Sequence, residues 1–94
     1  MGNGIVVGHT GSDHAGFPPT PVLAGSGTVK YDGIPAARKG DPLAPHSKPK
    51  HPPHGRSISG GSGTVMIDGK PAARVGDAVS CGGSLKGGSS VNIG

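Results

Sequence analysis

GSGTVKYDGIPAARKGD, residues 25–41, returns 36 residues later as GSGTVMIDGKPAARVGD, residues 61–77. The two copies differ only where Lys30 becomes Met66, Tyr31 becomes Ile67, Ile34 becomes Lys70 and Lys39 becomes Val75. A long match at a fixed offset marks a repeat architecture, in which one supersecondary unit cannot bury its apolar face alone and needs its neighbours. Each copy carries a short alternating stretch (TVKY, TVMI) that runs into Asp-Gly, a hairpin turn signal. The following IPAAR or KPAAR then returns as a second strand, with Pro35 or Pro71 at its start, where a missing N–H is tolerated. Hairpins are therefore expected at 28–38 and 64–74. No segment holds a helical period over eleven residues.

Weaker copies flank the pair. GIVVGH, residues 4–9, aligns with AARKGD and puts His9 at the Asp position, as a turn residue; GGSSVNIG, residues 87–94, aligns with GSGTVKYDG. The chain parses as one domain, 1–94, of three units at about 3–33, 34–69 and 70–94. Three units in one short chain can close around a pseudo-threefold axis. The expected fold is all-β, an array of short hairpins and loops closed around that axis.

Such a fold is short of core. The 94 residues include 20 Gly and 10 Pro, and the aromatic residues are Phe17 and Tyr31. A domain this small and this poor in apolar residues needs a staple. Cys81 is the single cysteine, so no intrachain disulfide is available. Five histidines make a metal the first candidate. His14 lies five residues after the anchor His9, His46 five after Asp41, and Cys81 four after Asp77. Each unit thus places one metal-capable side chain at an equivalent position, and threefold closure brings all three to the axis. The longer loop of the second unit, HSKPKHPPHG, adds His51 and His54. Either can supply a fourth ligand; His54, next to Gly55 and the returning SISGGSG, is favoured. One thiolate and three imidazoles form a closed structural set suited to zinc, whose binding energy counts as folding energy.

IPAAR and KPAAR with their trailing GD, together with GSGTV and SCGG, resemble the PAAR-repeat proteins over nearly the whole chain. That resemblance implies a cone of β-hairpins with one structural zinc near its tip. It also implies a seat on the blunt end of a trimeric β-helical spike in type VI secretion systems and related contractile phage tails and injection particles. Matched residue by residue, SDHAG puts a ligand at His14 and GDAVSC puts one at Cys81. PHSKPKHPPHG has His46 where the family often has Cys, and His54 at the later His. The first repeat departs from the family, with IVVGH in place of PAAR. The implied partner is a trimeric valine–glycine repeat protein or phage tail spike homologue, one chain per trimer, with effector cargo as a second partner class and transient contact with the target membrane. Val29, Val65 and Val91, on equivalent segments, would face the spike together with open strand edges. The protein would be cytoplasmic before assembly and leave at the spike's tip.

Other classes fit less well. No run of apolar residues is long enough for a transmembrane helix, and MGNGIVVGH lacks the basic and apolar regions of a secretory signal. A small zinc enzyme needs an open coordination position and a general base. The chain has no Glu, and Asp32, Asp68, Asp41 and Asp77 fall at turns. Nucleic-acid binding is not expected. The net charge is only +4 and no aromatic residues interleave the basic ones. Lys48, Lys50 and Arg56 read as a solvated basic patch on the long loop.

Overall fold

The structure is a computed structural model that describes residues 2–12, 17–48, 51–80 and 82–94, with the backbone alone described at 47–48 and 51–54. The described residues are all-β. The strands are β1 (Gly2–Asn3), β2 (Thr10–Gly11), β3 (Thr20–Pro21), β4 (Lys30–Tyr31), β5 (Ile34–Pro35), β6 (Pro42–Lys48), β7 (His51–Ser57), β8 (Met66–Ile67), β9 (Lys70–Pro71), β10 (Leu85–Lys86) and β11 (Asn92–Ile93). Except for β6 and β7, each is two residues long. Paired extents of 23 and 22 Å across a 39 Å length are compatible with a small cone.

The expected hairpins are β4–β5 and β8–β9, in the same register: Lys30 opposite Pro35, and Met66 opposite Pro71. Asp32 and Gly33 have φ of 54° and 78°, and Asp68 and Gly69 have 53° and 79°. Two consecutive positive φ values define the hairpin turn that matches strand twist, which is why Asp-Gly recurs there. The third hairpin has no turn. β11 pairs with β1, Gly2 opposite Ile93 and Asn3 opposite Asn92. The first and last strands thereby close the units into a ring.

The ring is explicit in the backbone. Ile5 N–H donates to Ala73 O, Ala37 N–H to Ile5 O, and Ala73 N–H to Ala37 O, at 2.8 to 3.1 Å. All three side chains are fully buried. Three segments approach one axis here, two of them with alanine and one with Ile5, so the Ala-Ala of the repeated motif leaves room for the single larger side chain. Its Arg and Asp are explained by the turn that follows. Asp41 accepts the Arg38 N–H and both arms of its guanidinium, and Asp77 does the same for Arg74. In the first unit His9 Nδ1 accepts the Val6 N–H at 3.1 Å, so His9 fills the Asp role as expected. Immediately before His9, Asp41 and Asp77 sits a glycine with positive φ, Gly8, Gly40 and Gly76.

Two apolar layers stack on the ring. One holds Val6, Tyr31, Ala36, Ile67, Ala72 and Ile93, with Val29, Val65 and Val91 packed against it. A Cβ at Gly4 would lie 2.3 Å from the Tyr31 ring. Gly4 thus makes room for the one large residue among Tyr31, Ile67 and Ile93, and this explains why the first unit departs from Ala at that position. The other layer holds Ile5, Val22, Ala37, Leu43, Ile58, Ala73, Val79 and Leu85. It is stitched by equivalent pairings from one unit to the next: Val22 with Leu43, Ile58 with Val79, and Leu85 with Gly11.

One expectation is corrected. The proline-rich stretch after Asp41, read from sequence as a loop, forms the longest hairpin, β6–β7. His46 lies opposite His54, and Lys48 opposite His51, with register shifts on either side of His46. A two-stranded ribbon has a free outer edge on each strand, where proline forfeits no ladder bond, and register shifts absorb its geometry.

Candidate metal centre and docking base

β6 leaves the upper apolar layer at Leu43 and reaches His46 three residues later. The His46 side chain is 2% exposed. Its ring stacks on Phe17 with centroids 4.8 Å apart. Its Nδ1 lies 2.9 Å from the Pro18 carbonyl oxygen. A carbonyl can only accept, so Nδ1 donates, and in the neutral ring the lone pair is then at Nε2. That is how metal-ligating histidines are usually oriented, with the second nitrogen donating to a backbone carbonyl. His46 therefore fits the ligand role. Backbone pairing puts His54, rather than His51, directly across from it. His14 and Cys81 lie outside the described residues, as do the side chains of His51 and His54.

On β7, opposite Leu43, Arg56 is 3% exposed. This corrects the reading of Arg56 as part of a solvated basic patch. Its Nη1 donates to Gly11 O and Thr20 Oγ1, and its Nη2 to Ser12 O and Gly82 O. The sequence signal was its place in the repeat: Arg56 stands two residues before Ile58, as Thr20 stands before Val22 and Gly83 before Leu85. Residue type suggested solvent; repeat position pointed to the axis.

At the other end, Val29, Val65 and Val91 are half-buried. Their N–H groups donate to Ser26, Ser62 and Ser89 Oγ, and their carbonyls accept from Ala36, Ala72 and Gly4. The backbone of these three residues is thus already paired within the chain. What they offer a partner is apolar side-chain surface.

The aspartates between the two ends are bound into the scaffold. Asp68 accepts from Ser26, Thr28 and Arg38 of the preceding repeat, and Asp32 accepts from Ser90. The Ser26 hydroxyl foremost, with Thr28 and Arg38, holds the Asp68 carboxyl below the usual carboxylate range, and Ser90 does so for Asp32. At the equivalent place in the third unit the Gly94 carbonyl oxygen accepts from Ser62 and Arg74.

The architecture is thus a three-unit β-hairpin ring with a histidine-bearing ribbon at one end and a triad of valines at the other. The sequence profile of the PAAR motif matches residues 8–87, and the chain belongs to the PAAR motif family. This is a family of structural spike-tip proteins of type VI secretion and related contractile systems, associated with a spike-type partner. A search of curated proteins gave no match.

Proposed function

We propose that this protein caps a trimeric spike, one chain per trimer, and sharpens a contractile membrane-puncturing device. The observation that carries the reading is the cyclic hydrogen-bond ring of Ile5, Ala37 and Ala73. It gives a single chain an approximate threefold axis, which a true trimer can meet without symmetry mismatch. On this reading Val29, Val65 and Val91 contact one spike subunit each. One structural zinc is held at the tip by His14, His46, His54 and Cys81, with His51 the alternative to His54. The tautomer of His46 supports its place in that set. Bound zinc would supply a crosslink among the loops, with no reaction step, and would slow forced unfolding at the point. The protein is synthesised in the cytoplasm and leaves with the spike. The test is native mass spectrometry of the protein mixed with its cognate spike trimer. A 1:3 complex that Val65→Asp weakens is expected; no complex with the zinc-replete protein, or a 3:3 complex, would overturn the reading.

A further inference from the structure

Arg56 is a buried cation whose setting nothing above explains. The ion pairs among the described residues are those of Arg38 and Arg74; Arg56 is bound instead by one hydroxyl and three backbone carbonyls. Its Nε has no hydrogen-bond partner among the described residues. Among the described residues every acceptor of the guanidinium is neutral, a costly way to bury a cation, and the site is nonetheless built for it. The three equivalent axial positions are Thr20, Arg56 and Gly83. Thr20 accepts from Arg56 at 2.9 Å. A Cβ at Gly83 would lie 2.9 Å from Arg56 Nη2 and 2.6 Å from Ser12 O, so the glycine leaves the space that the guanidinium occupies. One layer down, a Cβ at Gly11 would also crowd Nη2, at 3.2 Å.

The places where the guanidinium binds are informative. Ser12 is two residues before His14, Gly82 immediately follows Cys81, and Arg56 itself is two residues after His54. One planar fork therefore ties together the segments that carry three of the expected ligands, each from a different unit. We infer that Arg56 is a positioning residue: its guanidinium gathers the three ligand-bearing segments around the axis before any metal binds, so that zinc meets a preassembled site. A planar five-donor group suits this task in a way that an ammonium does not.

The inference rests on the zinc reading, and the experiment separates the two. Zinc affinity is measured by competition with a chromophoric chelator for the wild type, Arg56→Met, Arg56→Lys and Leu85→Ala. Leu85 is fully buried and serves as a control for general destabilisation. Arg56→Met is expected to weaken zinc about 10- to 100-fold, the range for loss of a group that orients metal ligands, with Arg56→Lys in between. Leu85→Ala should move zinc affinity much less for an equal loss of melting temperature. Equal effects of Arg56→Met and Leu85→Ala would overturn the inference and leave the zinc reading standing. A wild type that binds no zinc would sink the zinc reading itself. Should Arg56→Met not fold, the wild type decides by nitrogen-15 NMR. Distinct, slowly averaging Arg56 Nη–H signals are expected in the zinc-free protein, and their collapse to an averaged signal on zinc removal would overturn preassembly.

Discussion

The two ends of this molecule are built on opposite plans. At the base, and in the ring above it, the three units do the same thing three times: Ser26, Ser62 and Ser89 each cap a valine, and Ile5, Ala37 and Ala73 each donate one hydrogen bond to the next segment around the axis. Towards the tip the units diverge. One contributes Arg56 where the others have Thr20 and Gly83, and among the described residues the long β6–β7 ribbon belongs to the second unit. The difference teaches that repetition serves where a threefold partner must be met. Where one planar guanidinium is shared among three units it cannot obey threefold symmetry, so one unit supplies it and the others make room.

The largest effect separating the two ends should come from the metal. Chelation of zinc should remove about 4 kcal/mol of stability relative to free zinc held a thousandfold above Kd. For a domain of this size that is a fall in Tm of roughly 15–30 °C. Cys81→Ser should reproduce it, and His54→Ala should weaken zinc more than His51→Ala. A Tm insensitive to chelator would mean that the tip is held by packing alone.

Next in size is the shared apolar layer. Leu85→Ala should cost about 2–5 kcal/mol in denaturant unfolding, as for other fully buried leucines. A loss under 1 kcal/mol would mean that the layer collapses readily.

The base can be probed by restoring its symmetry. Gly4→Ala drives a Cβ into Tyr31 and should cost roughly 1–3 kcal/mol. Tyr31→Ile, which copies Ile67 and Ile93, should recover most of that loss in the double variant. Additive losses in the double-mutant cycle would break the equivalence of the three units.

The smallest effect lies at the exposed turns. The Asp68 and Asp32 carboxyls are held low in the folded chain, chiefly by Ser26 and Ser90. A depressed carboxyl stabilises the fold above its unfolded pKa and ceases to do so as pH falls through the lower, folded value. The contribution of these two carboxylates should therefore be flat in pH down to the ordinary carboxylate range and decline only below it. Asp68→Asn should lessen that decline, and an unchanged acid limb would show that the turn contacts carry no stability.

The base was legible in the sequence because each feature recurs with its reason: Asp-Gly for the positive-φ turn, Ala-Ala for the crowded axis, Arg and Asp for the fork. His9 could be placed by alignment although its chemistry differs from Asp. The tip was less legible, because an element found in one unit has no second copy to compare. The prolines at 45, 52 and 53 suggested a loop, yet a two-stranded ribbon tolerates them. Arg56 was misread because charge favours solvent unless enough acceptors converge, and here they come from residues 11, 12, 20 and 82.

The central claim is one axis shared by a threefold base and a metal-tied point. Its most direct test is elemental analysis combined with native mass spectrometry of the protein bound to its spike. The account predicts zinc, chain and spike subunits in the ratio 1:1:3, with zinc lost and the 1:3 complex retained in Cys81→Ser at a temperature where that variant is folded. A metal-free wild-type complex, or one with three chains per trimer, would contradict it.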